Sequence, residues 1–482
     1  MQIIKKAKSR VDKAWGKQKI KDTTYRLMWY TLTKDSADGI LLHNAITGEL
    51  IRLEADEKAV LAMLPVQVAG GAAEPLITEL IEKHFLVPVD YDEKKTIGQL
   101  RHLLTMMQKS KDITGYTILP TTYCNARCFY CYECNFKHVH MTEERAHDVV
   151  EYIISHSHGK KVSLQWFGGE PLVGMKIISL ICRELTDRGV EFTSSMISNG
   201  ALFDANVVNE ARELWKLKNI QITIDGTEDI YNEVKAYVNM KGSPYQRVLG
   251  NIRTLSEAGI RVSIRINLGF HNVDDTENLI RELSERFSDC DNVSMYVHEL
   301  FENEGTEPTT YTQEQYDYLT DMVGRFNAYA AERGKYVKTS SLPSLTLGHC
   351  MADNDGSVII HPGGELTKCE HIELTDNFGT IDSDDWDMDY LHAWKEHAQQ
   401  AECDSCVLYP SCIMPAKCPD MGNCVSGVRK RKVEEALAAM TDAEIKKKEK
   451  AQTEAEDAEC AASDENDEAD AGCDEPSCEG VC

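Results

Sequence analysis

The rhythm of apolar and polar positions changes along the chain. From Tyr25, short alternating runs, "YRLMWYTL" and then "GILLHNAITGELIRL", predict strands with turns at Ala37-Asp38-Gly39 and Thr47-Gly48. Two stretches with three- and four-residue apolar spacing follow, "EADEKAVLAML" and "AAEPLITELIEKHF", and predict helices. Strands followed by helices over residues 24–92 make a winged-helix-like module. A basic lead-in, 1–23, precedes it, and a linker helix over 93–112 follows.

From Ile113 apolar runs alternate with helical stretches. The strand candidates are "GYTILP" (115–120), "VSLQWF" (162–167), "EFTSSMIS" (191–198), "IQITID" (220–225), "RVSIRINL" (261–268) and "NVSMYVHEL" (292–300). Helices are predicted to start near Thr142, Leu172, Asp204, Gln246 and Asp274. This alternation predicts parallel βαβ units, hence an α/β fold with a partial (β/α)6 TIM-type barrel over 113–336. All strand ends would meet at one rim, where the chemistry belongs. Beyond Tyr336 the rhythm fades into a Cys-rich domain, 337–427. A charged helix, "VRKRKVEEALAAMTDAEIKKKEK", is expected over 428–450. Residues 451–482 hold twelve acids and no bases, and are expected to be a disordered tail.

Charge narrows the functions. With 52 Lys+Arg against 79 Asp+Glu, the chain carries a formal charge of -27, which disfavours nucleic acid and anionic membrane as partners. The N-terminus shows no apolar signal core and no later run approaches membrane-spanning length, so a soluble, cytoplasmic protein is expected. Of the 17 cysteines, all but Cys182 and Cys290 fall in three bunches, Cys124–Cys134, Cys350–Cys424 and Cys460–Cys482. Bunched thiols in a reducing compartment favour metal or cluster ligation. Cys182 sits on an apolar helix face and reads as a core thiol.

The first bunch, "TTYCNARCFYCYECNF", sets Cys124, Cys128 and Cys131 at C-x3-C-x2-C on the loop leaving the first barrel strand. Three thiolates there can hold three irons of a cubane and leave the fourth iron open. Cys134 can instead complete a four-cysteine zinc site, so the spacing alone leaves both readings open. Further motifs lie at successive strand ends: "GGEP" (168–171), "ISNG" (197–200) and "ITIDG" (222–226). Together with Tyr130 before the third cysteine, they resemble the radical S-adenosylmethionine enzymes. The resemblance implies that Cys124, Cys128 and Cys131 hold a catalytic [4Fe-4S] cluster and that Cys134 is surplus. The open iron would chelate S-adenosylmethionine, whose reductive cleavage gives a 5'-deoxyadenosyl radical. Tyr130, Gly168, Gly169, Glu170, Asn199, Thr223 and Asp225 then become cofactor-binding candidates. The glycines would let backbone approach the ligand, Glu170 would face its ammonium and Thr223 its carboxylate. Asn199 and Asp225 would bond the ribose or neighbouring backbone.

The second bunch opens with "CMADNDGSVIIHPGGELTKCEH", a predicted hairpin between Cys350 and Cys369, and continues Cys403-x2-Cys406-x5-Cys412-x5-Cys418-x5-Cys424. It resembles the SPASM domain of radical enzymes that modify peptides, although the gap from Cys412 to Cys418 is longer than usual there. By that pattern Cys403, Cys406, Cys412 and Cys424 close an outer cluster. Cys350, Cys369 and Cys418 hold an inner one with an iron left open, unless a distant cysteine such as Cys290 completes it. The resemblance therefore implies three [4Fe-4S] clusters. Glu370 is a candidate proton acceptor by the same resemblance, or a solvated hairpin acid. Residues 24–92 resemble a leader-peptide recognition element, which adds an extended leader to a sheet edge; a structural cap is the plainer alternative.

The resemblance spans residues 24–425. It implies a peptide maturase of the thioether-forming type, acting on a leader-bearing, Cys-rich precursor and fed by an electron donor such as flavodoxin or ferredoxin. A substrate thiolate on the open inner iron would bond to the carbon from which hydrogen was removed, and the cluster would take the second electron. A formylglycine maturase, a peptide epimerase, a carbon–carbon cross-linker and a non-catalytic iron–sulfur carrier are the alternatives. The tail's "CAASD", with three residues between Cys460 and Asp464, reads as polar sequence that happens to carry thiols.

Overall fold

The computed structural model describes residues 1–71, 73–107, 112–300, 311–336, 342–345, 350–371, 375–396, 403, 406–412, 417–418, 429–448 and 450. Cys424 and the cysteines from Cys460 onward lie outside them. Among the described residues no helix is long and apolar enough to cross a membrane. The chain divides into two compact units. The first comprises Met1–Leu100, Ser340–Leu345 and Glu434–Cys482; the second comprises Arg101–Thr339 and Thr346–Val433.

The first unit holds two antiparallel sheets. Strands β1 (Gln2–Lys5), β2 (Thr23–Leu27), β3 (Thr31–Ser36), β4 (Gly39–Asn44), β5 (Leu50–Glu54), β6 (Val66–Val68) and β7 (Leu86–Pro88) are sorted into the orders β1-β5-β4-β3 and β6-β2-β7. Ala37 and Asp38 form the two-residue turn between β3 and β4. The segment read as a basic lead-in contributes β1 to the larger sheet and folds helix α1 (Ser9–Trp15). Leu42, Ile51 and Leu53 face a core with Val60 of helix α2 (Ala59–Ala62) and Ile77, Leu80 and Ile81 of helix α3 (Pro75–Glu82). The linker helix α4 spans Glu93–Met107.

The helix of residues 429–448 supplies Ala436, Ala439 and Met440 as buried positions at three- and four-residue spacing. Its Leu437 carbonyl accepts from Lys34 at 3.0 Å, and Glu444 accepts from Ser36 at 2.8 Å and from Arg52 at 3.0 Å. The charged helix is thereby bound to the β3–β4–β5 sheet.

In the second unit the six expected strands form as β8 (Gly115–Ile118), β9 (Val162–Trp166), β10 (Phe192–Ser198), β11 (Leu217–Thr223), β12 (Arg261–Leu268) and β13 (Val293–Glu299). They pair in parallel and in chain order. Between them run α5 (Glu143–Ser157), α6 (Met175–Asp187), α7 (Ala205–Glu213), α8 (Glu228–Lys235), α9 (Pro244–Glu257) and α10 (Thr276–Arg286). Thr142 and Asp204 cap α5 and α7 by accepting first-turn N–H groups. Helix α11 (Gln313–Glu332) opens with a capping box at Thr312 and Gln315.

Alternate strand residues, such as Leu164, Met196, Ile222, Ile264 and Val297, are buried in the apolar core that includes the helices. The other face carries Gln165, Ser195, Gln221, Thr223, Arg265, Tyr296 and His298, all only partly buried. A parallel sheet packed on both faces would be apolar on both, whereas this face is polar. The Cys-rich region joins the same sheet. Strand β14 (Ser357–Ile360) pairs in parallel with β8, and β15 (Glu365–Thr367) and β16 (Gly379–Thr380) continue antiparallel, giving nine strands. The hairpin expected between Cys350 and Cys369 is thus an extension of the barrel sheet.

Burial opposes ionisation of Glu444, but hydrogen bonds from Arg52 and Ser36 and the charge of Lys448 hold it below its ordinary 4.5. A depressed carboxylate stabilises the fold above pH 4.5 and loses that contribution as pH falls through its folded value. Glu444→Gln should cost about 2 kcal/mol in denaturant unfolding at pH 7. The difference from the unaltered chain should shrink as pH falls below 4.5 through the lowered folded-state value.

Candidate active site

The cysteine loop leaves the C-terminal end of β8 and returns alongside itself. Met141 N–H donates to the Pro120 carbonyl at 3.0 Å and Thr122 N–H to the Val139 carbonyl at 3.0 Å, closing residues 123–138 into one excursion. Its base is gripped from the β9 side. Gly169 N–H donates to Thr121 O at 3.2 Å and Glu170 N–H to Tyr123 O at 3.0 Å. A Cβ on Gly168 would stand 2.3 Å from Thr121 O, and one on Gly169 would stand 2.5 Å from Tyr123 C and O. The close approach that the glycine pair permits here is to the cysteine loop's own backbone. Gly168 also holds φ +112, outside the range side chains favour.

Within the loop, Cys124 Sγ accepts from Ala126 N–H at 3.4 Å and faces the Asn199 amide at 3.9 Å. Cys131 N–H donates to Cys128 O at 3.2 Å, and a short 3-10 turn, Tyr132–Asn135, carries Cys134 onward. Burial pushes the Cys124 thiol up to about 12, with the charge of Glu170 adding to it. Burial also raises Cys128 and Cys131. Cys124, Cys128 and Cys131 lie on one loop, and a cluster would take each of them as a thiolate. Among the described residues no group of three or more His, Cys, Asp or Glu is arranged to hold a single metal ion. A cubane asks for something else, because each thiolate takes a different iron.

Glu170 is 0% exposed and both oxygens are engaged. One accepts from Leu172 N–H at 3.1 Å and Ser198 Oγ at 2.8 Å, the other from Asn199 N–H at 2.8 Å. This carboxylate ties the β9 and β10 loops together. Burial lifts it to about 7 against those donors. Asn199 donates to Asn125 Oδ1 at 2.7 Å, so its amide also faces the cysteine loop. Thr223 ends β11, half-buried on the polar face and in register with Arg265.

Asp225, 0% exposed, takes the neighbouring-backbone alternative: Oδ1 accepts from Asn267 N–H at 3.0 Å. Its Oδ2 accepts from the Tyr130 hydroxyl and lies 2.9 Å from Lys235 Nζ. Lys235 in turn donates to the Tyr130 oxygen at 2.9 Å.

The second bunch sorts into two neighbourhoods. Burial raises Cys369, and the charges of Glu370, Cys418 and Cys350 act on it in the same direction. Burial likewise raises Cys406, with Cys412 and Cys403 as its neighbouring thiols. Arg101 fixes the latter loop by donating to the Tyr409 and Cys412 carbonyls at 2.9 and 3.1 Å. Cys290 is placed elsewhere. It precedes β13, is buried in the barrel core, and has its sulfur 3.6 Å from both Asp289 Oδ1 and Arg253 Nη1. Cys182 is fully buried in α6.

Two residues escaped the sequence reading. Lys235 ends an amphipathic helix, where a lysine ordinarily faces water. Glu133 lies between Cys131 and Cys134, 8% exposed, with Oε1 buried and without a hydrogen-bond partner. Burial raises Glu133 to about 8; His371 opposes this and Glu370 adds to it. Tyr132 beside it stacks on His371 at 4.2 Å, so the loops of Cys131 and Cys369 meet here and Glu370 is at their junction. The acid between two cysteines was the only available signal.

Residues 118–283 match the family model of the Radical SAM superfamily, and the presence of this domain supports enzymatic activity of the radical S-adenosylmethionine type. Its C-terminal Cys-rich region is typical of SPASM domains. The chain is 23% identical over 200 residues to the radical SAM cyclopropyl synthase TigE of Paramaledivibacter caminithermalis, a match covering 34% of this chain and 41% of TigE. It therefore spans less than half of that relative. The solved structure of anSMEcpe with bound AdoMet shares the fold at TM-score 0.52 and 17% identity, covering 68% of this chain and 98% of that one. Streptococcus suis SuiB bound to S-adenosylmethionine aligns at TM-score 0.48 and 14% identity, covering 80% and 94%.

Two predictions follow from the loop geometry. Cys124→Ala, Cys128→Ala and Cys131→Ala should each abolish 5'-deoxyadenosine formation from S-adenosylmethionine, while Cys134→Ala retains it, as read by chromatography of the products. Gly169→Ala should lower that rate at least tenfold without any change to a thiol, and iron analysis should show the loss at the loading step.

Proposed function

We propose that the chain is a radical S-adenosylmethionine peptide maturase that forms thioether cross-links in a Cys-rich, leader-bearing precursor. The observation that carries this reading is the grouping of cysteines. Cys124, Cys128 and Cys131 share the rim loop after β8, Cys350 and Cys418 neighbour Cys369, and Cys403 and Cys412 neighbour Cys406. When bound, the cluster and S-adenosylmethionine at the rim supply a 5'-deoxyadenosyl radical.

The chain's own groups have distinct tasks in this reading. Cys350, Cys369 and Cys418 would hold an inner cluster with one iron left for a substrate thiolate; Cys403, Cys406, Cys412 and Cys424 would hold the outer one. The polar inner face, with Gln221, Arg265 and Tyr296, would orient a peptide beneath the rim. Glu370, at the junction of the Cys131 and Cys369 loops, would accept the proton released from the substrate. Thr223 would bond the carboxylate of S-adenosylmethionine. The sheet unit around residues 24–92 would hold the leader, and a flavodoxin or ferredoxin would deliver electrons. Support for a peptide substrate comes from anSMEcpe, which has been solved with AdoMet and the Cp18Cys peptide. A second reading, carbon–carbon bond formation, is favoured by the named activity of TigE.

Adding a Cys-containing precursor should perturb the inner cluster's electron paramagnetic resonance spectrum in protein whose rim cluster is removed by Cys→Ala changes. The matching Cys→Ser peptide should leave that spectrum nearly unchanged. Identical spectra with both peptides would exclude thiolate coordination and shift the reading to carbon–carbon chemistry.

A further inference from the structure

We propose that Lys235 is a positioning residue for the catalytic centre. Held by Asp225 and Tyr130, its ammonium seats the loop of Cys128 and Cys131 and sets a fixed positive charge beside the cluster those thiolates bind. The proposal rests on the iron–sulfur reading of Cys124, Cys128 and Cys131.

Three observations converge on this lysine. First, it is 3% exposed and its ammonium lies 2.9 Å from both Asp225 Oδ2 and the Tyr130 oxygen. Tyr130 sits directly between Cys128 and Cys131 in the sequence, so the ammonium is anchored to the ligand loop itself. Second, the backbone around Lys235 is tied to the same loop. Helix α8 ends at Lys235 and the chain reverses through Ala236 at φ +42. Arg127 N–H then donates to the Lys235 carbonyl at 2.8 Å, and Val238 N–H donates to the Asn125 carbonyl at 2.9 Å. The Tyr237 hydroxyl, paired with Tyr231 at 2.9 Å, donates to Asn199 O at 3.3 Å. Residues 235–238 thus form a strap along 125–130. Third, the surroundings are rich in acids. Cys124, Cys128 and Cys131 become thiolates on binding iron, and Glu170 and Asp225 are fully buried nearby. The charge of Lys235 acts on Cys128, Glu170 and Tyr130 alike.

A buried lysine costs several kcal/mol to desolvate and persists where a partner offsets that cost. Asp225 is such a partner. A surface lysine would have served the loop's backbone equally well; what burial adds is an unscreened charge. A positive charge held close to a cluster favours its more negative, reduced form, and so raises its reduction potential.

The test uses the full chain with reconstituted clusters. The catalytic cluster is recognised as the paramagnetic signal that changes on adding S-adenosylmethionine, and its midpoint is followed by redox titration. Lys235→Met should move that midpoint to more negative values, and Lys235→Arg should stay near the unaltered protein. Asp225→Asn, which leaves the lysine's charge uncompensated, should move it to more positive values. General damage to the loop would shift Lys235→Met and Asp225→Asn the same way, so a same-direction shift overturns the proposal, as does an unchanged midpoint in Asp225→Asn. If Lys235→Met takes up no iron, Asp225→Asn and Lys235→Arg decide alone by the same directions. Absence of any S-adenosylmethionine-responsive signal in the unaltered protein would remove the cluster reading and the proposal with it.

Discussion

Everything at the rim depends on two backbones meeting without a side chain between them. Thr121–Tyr123 leaves β8 and Gly168–Glu170 leaves β9, and they hydrogen-bond beyond the ends of their strands because Gly168 and Gly169 carry no Cβ. That contact fixes where the cysteine excursion starts. Glu170 then locks the same segment to Ser198 and Asn199 of the next strand end, so three successive strand ends share one arrangement. The thiols inherit their positions from this frame.

Charge completes what the frame begins. The rim concentrates buried acids and thiols, and an interior of that kind is expensive unless cations or metals answer it. Lys235 answers Asp225. The side chain of Glu133, where the loops of Cys131 and Cys369 meet, has a buried oxygen that no donor reaches. The site is therefore unevenly satisfied: tight around the cofactor loop, open toward the Cys-rich hairpin.

Much of this was legible in the sequence because it is local. The six barrel strands announce themselves by apolar runs, and the caps Thr142 and Asp204 mark their helices within a residue. Cysteine spacing separated the rim loop from the later bunch. What stayed hidden is tertiary. The predicted helices do not include "EDIYNEVK", and nothing in that stretch signals that Lys235 is buried against Asp225 and Tyr130. The glycines of "GGEP" announce a close approach but not what approaches. Asp225 and Glu170 look like ligand-facing acids in a motif, whereas their oxygens accept from backbone and side chains that include the adjacent strand ends, Asn267 for Asp225 and Ser198 and Asn199 for Glu170. The basic N-terminal segment gave no sign that β1 would pair with β5.

The parallel pairing of β14 with β8 has a consequence for how the enzyme comes into being. Residue 115 finds its outer sheet neighbour only when residue 357 has been synthesised. Until then β8, which carries the cysteine loop, is an unprotected edge with half its ladder unsatisfied. Contacts this distant in sequence form late and slowly. A nascent chain released from the ribosome in stages would therefore present its first three cysteines on an unfinished sheet, and would acquire a finished one only along with Cys350 and Cys369. Order of synthesis thus couples the completion of the rim's sheet to that of the hairpin, and a truncated chain lacking β14 inherits an aggregation-prone edge.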